Sequence, residues 1–222
     1  MTVGAQSSEA VSPRAKPGWL GRALVLVLGL SVVLSWMAIQ AMLVFTQAVW
    51  LASTGQVFAG AEPGRIAAQM RNLRLVLAVV SLGAAILFVG WIHRAHGVLA
   101  ALGSTGAGSA RDSVRACLIP GVNLVRVPSI VARLWRASGV EPPASVSTWV
   151  AWWWALCLAT VALDLSAVGW LGPGAWLSLR MLAECARIAA ALLTIVIVMR
   201  IERFLRERSA ASTASAGTVA GA

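Results

Sequence analysis

Four charged residues lie inside two long apolar stretches of this chain, Asp164 in the first and Arg180, Glu184 and Arg187 in the second. An unpaired charge at membrane depth is costly, so such residues are candidates for function by default. Asp164 stands eight residues before Gly172 and Arg180 eight after it. A tight hairpin at Gly172-Pro173-Gly174 therefore brings the two to matching depth, about 12 Å below the turn. Arg180, Glu184 and Arg187 follow at intervals of four and three and share one helix face; with Asp164 their charges sum to zero. That face is expected to point into a helix bundle. It can serve as a neutral network fixing the hairpin register, or as a polar pathway or ligand site.

Other reactive residues carry less. His93 and His96 are three apart, the minimum spacing for a shared metal on one helix face. No carboxylate or thiol follows at ligand spacing, and Arg94 adds positive charge where a divalent cation would sit. A polar anchor at the membrane interface is expected there instead. Serines are numerous, but no nucleophile elbow and no acid partner for either histidine is recognisable. Cys117, Cys157 and Cys185 are odd in number and lack metal spacing, and two of them lie within apolar stretches, where a thiol behaves as a small apolar group. No catalytic residue, metal ligand or cofactor is expected, and the chain reads as non-enzymatic.

The segment 111–138 is too charged to span a bilayer and too apolar for an ordinary loop. Pro120, Gly121 and Pro128 disfavour one continuous helix, and Asn123 and Arg126 are poor lipid-facing residues. Ser129 is placed as an N-cap and Gly139 as a stop, which predicts a short helix over 129–138. Arg133 and Arg136 share one face of it, with Ile130, Leu134 and Trp135 towards the apolar side. Such a helix lies in the interface, its tryptophan at headgroup level and its arginines near anionic lipid. Anchoring is its simplest use; recognition of a specific lipid or partner is the other.

The elements that position these residues follow from composition. Of the 222 residues, 59% are apolar and 12% charged, and the mean hydropathy is +0.82, far from soluble averages of about 25% charged residues. Four stretches, 19–50, 75–97, 146–170 and 175–200, meet the requirement of about 20 mostly apolar residues for a membrane-crossing helix. The fold expected is all-α, an integral membrane bundle of four transmembrane helices, with a short interfacial or re-entrant helical segment between helices 2 and 3. The transmembrane domain covers 18–208, and disordered tails are expected over 1–17 and 209–222. Pro63 suits the first turn of a helix running from Arg65 into the second span. Gln40 and Gln47, seven apart in the first span, are expected to pack against neighbouring helices.

Lys and Arg number 18 against 8 acids, a net charge of +10. Thirteen of the basic residues flank the start of the first span, the segment from the end of the second span to the third, or the end of the fourth. This placement reads as topology rather than nucleic-acid binding, with both termini cytoplasmic and the protein in a cytoplasmic (inner) membrane. The N-terminal apolar region is too long for a cleaved signal peptide and reads as a retained anchor.

The stretch 88–103, with Trp91, Arg94-Ala95 and Leu102-Gly103, continues into Ile119-Pro120, Asn123-Leu124, Pro128 and Leu134-Trp135-Arg136-Ala137-Ser138. Together these resemble a bacterial multi-pass membrane family catalogued as domain of unknown function 4328. Trp152-Trp153-Trp154-Ala155 fits the aromatic start of its third span. The resemblance covers residues 75 to 200 and implies four helices in a bacterial cytoplasmic membrane, but no activity. The chain departs from the family at Arg115-Ala116-Cys117-Leu118, where tryptophans and a Pro-Gly pair are usual. It departs again at Ser129, usually aromatic, and at Arg133, usually an acid, which removes support for a family site built on an acid and arginine pair. The candidate interfacial motif is thus Pro120, Asn123, Pro128, Arg133, Trp135 and Arg136. The candidate intramembrane network is Asp164, Arg180, Glu184 and Arg187. The role expected is structural or interaction-based, as an envelope accessory subunit. Its partners would be anionic lipid headgroups at the cytoplasmic face and a membrane protein or second copy. The alternative is a solute, ion or lipid pathway through the charged cluster.

Overall fold

The computed structural model of the chain describes residues 18–54, 63–102, 109–119, 122–137, 143–166 and 173–220. These residues form helices α1 (Trp19–Ser53), α2 (Pro63–Ala101), α3 (Ala110–Leu118), α4 (Val122–Ala137), α5 (Pro143–Ser166) and α6 (Pro173–Ala220). No strand occurs among the described residues. Helices α1, α2, α5 and α6 each contain a segment long and apolar enough to cross a membrane, so the chain is a multi-pass membrane protein. At 35, 39 and 48 residues, α1, α2 and α6 are about 52, 58 and 72 Å long and must tilt in, or project from, about 30 Å of hydrocarbon.

The four long helices run antiparallel in the order α2, α1, α6, α5, each packed on the next. At one end the circuit is closed by the short helices: α3 lies on α2, and α4 bridges from α3 to α5. The start of α1 and the region of α6 around Glu202 meet at this same end. The backbones of α2 and α5 do not approach each other. Their side chains meet near the α3–α4 end, where the rings of Phe88 and Trp153 are 5.9 Å apart.

Most of the core gathers at the closed end. Leu24 of α1, Trp91, Ile92 and Leu99 of α2, Val131, Leu134 and Trp135 of α4, Trp153 of α5 and Val198 and Ile201 of α6 form one buried cluster. The Trp153 indole donates to Thr194 Oγ1 at 2.8 Å, joining α5 to α6. A smaller cluster of Ala38, Met42, Ala48, Met70 and Leu77 joins α1 to α2 towards the other end.

Four expectations need correction. First, α4 starts at Val122, not at Ser129, and runs through Pro128; Ser129 Oγ donates to Arg126 O instead of capping a helix. An interior proline costs about 3 kcal/mol. Burial of Val127, Ile130, Val131, Leu134 and Trp135 on the same helix, at about 1.5–3 kcal/mol each, outweighs it. The break falls earlier, between α3 and α4. Second, Trp135 is 2% exposed and packs in the protein core rather than facing outward, because α4's apolar face is covered by α3, α5 and α6. Third, α6 continues as helix to Ala220, where an irregular tail is expected from residue 209; its alanines propagate a helix already nucleated by the span. Fourth, Gln40 and Gln47 face outward, since the face of α1 that packs on α2 and α6 carries Ala38, Met42 and Ala48 instead. The tail 1–17, the glycine-rich segment 103–108 and the hairpin turn at Gly172 lie outside the described residues.

Candidate functional site

The hairpin register expected from the symmetric spacing about Gly172 is found. Arg180 Nη1 donates to Asp164 Oδ1 at 2.7 Å, joining the first turns of α6 to the last turns of α5. Arg187 completes the network. Its Nη2 donates to Asp164 Oδ2 at 2.5 Å, and its Nη1 lies 2.5 Å from Glu184 Oε1 and 2.6 Å from Oε2. Glu184 is buried, and Asp164, Arg180 and Arg187 are partly buried. Charges paired and hydrogen-bonded in this way avoid the penalty that keeps isolated ones out of a membrane.

A fifth residue joins these four. Arg74 of α2 stacks on the indole of Trp176 of α6, with its guanidinium carbon 4.8 Å from the ring centroid, and Arg180 approaches the same indole at 5.8 Å. Arg74, Asp164, Arg180, Glu184 and Arg187 all line one cleft between α2 and α5, with a volume of about 700 Å³. Three arginines against two carboxylates leave a charge of +1, where the four residues of α5 and α6 alone are neutral. Arg180 Nε is buried and has no hydrogen-bond partner among the described residues. Below the charges the lining turns apolar or weakly polar, with Leu28, Ser31, Leu77, Ala84, Ala191 and Thr194. The arrangement offers cationic hydrogen-bond donors beside an apolar trough of a size that accepts a small ligand.

Arg74 escapes the spacing argument because it stands one residue ahead of the apolar stretch 75–97. The signal that could have found it is Pro63. A helix begun there carries Arg74 about 16 Å along its axis, into the membrane beside the Trp176 side of α6.

A second charged constellation also escaped the sequence. Glu202 of α6 is 6% exposed, accepts from the Trp91 indole at 3.1 Å and from Arg94 Nη1 at 3.3 Å, and lies against Gly18 and Gly21 at the start of α1. A Cβ at Gly21 would come within 2.8 Å of the carboxylate, so glycine permits this approach. The positive end of α1 adds favourable charge beside the acid. The available signal was two acids, Glu202 and Glu207, in the otherwise basic run of Arg200, Arg203, Arg206 and Arg208; Glu207 pairs with Arg203 at the surface.

The candidate interfacial residues are dispersed. Asn123 Nδ2 donates to Cys117 O at 3.2 Å, holding α4 to α3. Pro128 lies within α4, Trp135 is in the core, and Pro120 is outside the described residues. Arg133 and Arg136 are exposed on α4, as expected from their shared face, and Arg136 Nε donates back to Ala132 O at 3.2 Å. His93 is exposed, but His96 is buried and bonded within the α3–α4 end, so it is not an interfacial anchor. The two histidines do not share an environment. Burial raises the pKa of the Cys117 thiol above its ordinary value of 9.0.

No curated protein and no solved structure matches the chain. A family model matches residues 59–203, which include α2 to α5, the five charged residues of the cleft and Glu202. The chain therefore belongs to the family described as Domain of unknown function (DUF4328).

Proposed function

We propose that the protein holds an anionic amphiphile, a lipid or lipid-like acid, in the cleft between α2 and α5. One observation carries this reading: α2 and α5, whose backbones do not approach each other, flank a trough of about 700 Å³ that is cationic at one level and largely apolar at the next. An anionic headgroup would take the donors of Arg74 and Arg180, and an acyl chain would lie along Leu77, Val161 and Leu165. A network serving only to fix the α5–α6 hairpin has no need of Arg74, which comes from a helix that does not pack on α5. The ligand reading therefore moves ahead of a purely structural role, and it is a binding role rather than an enzymatic one. The α3–α4 end carries the arginines of α3, α4 and the last part of α6; by the positive-inside rule it faces the cytoplasm of a bacterial inner membrane, and both termini lie there.

The test is native mass spectrometry of the protein released from nanodiscs made with equal amounts of phosphatidylglycerol and phosphatidylcholine. Selective retention of phosphatidylglycerol, abolished by Arg74→Gln and by the cleft-filling Ser81→Trp, is the expected result. Equal retention of both lipids by all three proteins would overturn the reading.

A second reading, association through α1 with a membrane protein or a second copy, is supported by the outward-facing Gln40 and Gln47, since polar side chains on a spanning helix find their partners on other helices. A photo-crosslinking residue at Gln40 that captured a discrete protein would support it, and capture of lipid alone would count against it.

A further inference from the structure

A second recess, of about 410 Å³, lies at the other end of the bundle, between α2, α3 and α4. Its floor is polar and buried. His96 is 1% exposed; its Nδ1 donates to Ile92 O at 2.9 Å, since a carbonyl can only accept, which leaves Nε2 facing Ser113 Oγ at 3.2 Å. The Ser113 hydroxyl also reaches Ser109 O at 3.0 Å, so its single hydrogen serves two acceptors.

The rim is cationic. Arg126 and Arg133 are exposed, seven residues apart on one face of α4, and both line the recess. Neither forms an ion pair with another described residue. The first turn of α3 opens onto the same space, with Ser109 as its cap, and the first N–H groups of a helix lack intrahelical acceptors and favour an anion. Asp112 is the one acid of the lining. Two arginines against it leave a net positive charge, and its carboxylate can accept from a ligand hydroxyl.

We propose that this recess binds a phosphate ester, with Arg126 and Arg133 on the phosphate oxygens, the α3 terminus behind them and Asp112 on a neighbouring hydroxyl. Arginine forks match phosphate geometry, and the volume suits a headgroup-sized ligand. The same chemistry is offered by a lipid headgroup or by a soluble phosphorylated polyol. The site is independent of the cleft, from which it is separated by the core around Trp91 and Trp153.

Isothermal titration calorimetry of the full chain in a neutral detergent, with glycerol 3-phosphate and dihexanoyl phosphatidylglycerol as separate probes, tests the assignment. At least one probe is expected to bind, roughly tenfold more weakly to Arg126→Gln and to Arg133→Gln. The lipid titrations are made in the Arg74→Gln background, in which the cleft no longer retains phosphatidylglycerol, and binding at the recess is expected to be unchanged by Arg136→Gln, on α4 outside it. Binding of glycerol 3-phosphate identifies a soluble source, and binding of the short-chain lipid alone identifies a headgroup. Binding of neither probe, or equal weakening by Arg136→Gln and Arg133→Gln, would overturn the assignment.

Discussion

Asp164 is where the charge network is most exposed to a quantitative test. Its carboxylate accepts from Arg180 at 2.7 Å and from Arg187 at 2.5 Å, while Arg187 keeps Glu184 as a second partner. A hydrogen bond to a charged group contributes about 1.5–3 kcal/mol, so the two together contribute about 3–6 kcal/mol. The Asp164 side chain is 31% exposed, and a discount of about half for screening leaves roughly 1.5–3 kcal/mol. Asp164→Asn should therefore lower the melting temperature by about 3–12 °C in a chain of this length. Arg180→Gln removes one of the two pairs and should cost about half as much. In the double variant Arg180 is no longer left beside a neutral side chain, and its replacement should cost at least about 1 kcal/mol less than in the parent. The assay is unfolding in detergent followed by tryptophan fluorescence, for which the chain's 11 tryptophans suffice. Additive effects within about 0.5 kcal/mol would refute the pairing.

Three further outcomes follow from the closed end of the bundle. Glu202→Ala should cost about 2–4 kcal/mol, because it removes the acceptor of the Trp91 indole and the carboxylate that Arg94 Nη1 meets; Gly21→Ala should also destabilise, and less so in the Glu202→Ala background, where the carboxylate it displaces is gone. Ser109→Ala should cost about 0.5–2 kcal/mol as the loss of a helix cap, and Ser129→Ala close to nothing; the reverse order in thermal melts would place the helix start at Ser129 after all. In a Cys157→Ala, Cys185→Ala protein, Cys117 should react slowly with a water-soluble maleimide near pH 7, because a raised pKa lowers the thiolate fraction. Its rate should still be climbing with pH beyond the point where an unburied thiol levels off, which a labelling profile from pH 7 to 10 measures.

The four spans were legible because twenty consecutive apolar residues have few other uses, and the Asp164 to Arg180 pairing because a short hairpin converts symmetric spacing into matched depth. Local spacing could not show what long-range packing decided. Glu202 meets Trp91 and Arg94 across more than a hundred residues, and Arg74 enters the cleft only because α1, not α5, packs on α2. Trp135 and Pro128 misled for a related reason. An aromatic residue suits an interface and a core equally well, and a proline that would end an isolated helix is tolerated where five neighbours on that helix are buried. The gap between α2 and α5 has no local signature at all, since it depends on each helix packing on a different neighbour, α2 on α1 and α5 on α6.

The central claim, an open cationic cleft that holds an amphiphile, is tested most directly by a density map of the protein in a lipid nanodisc containing phosphatidylglycerol. The expected result is a gap between α2 and α5, with elongated density in it whose head lies within hydrogen-bonding distance of Arg74 and Arg180. Packing of α2 directly on α5 along its length, with Arg74 turned away from Asp164 and no space between the helices, would contradict the account.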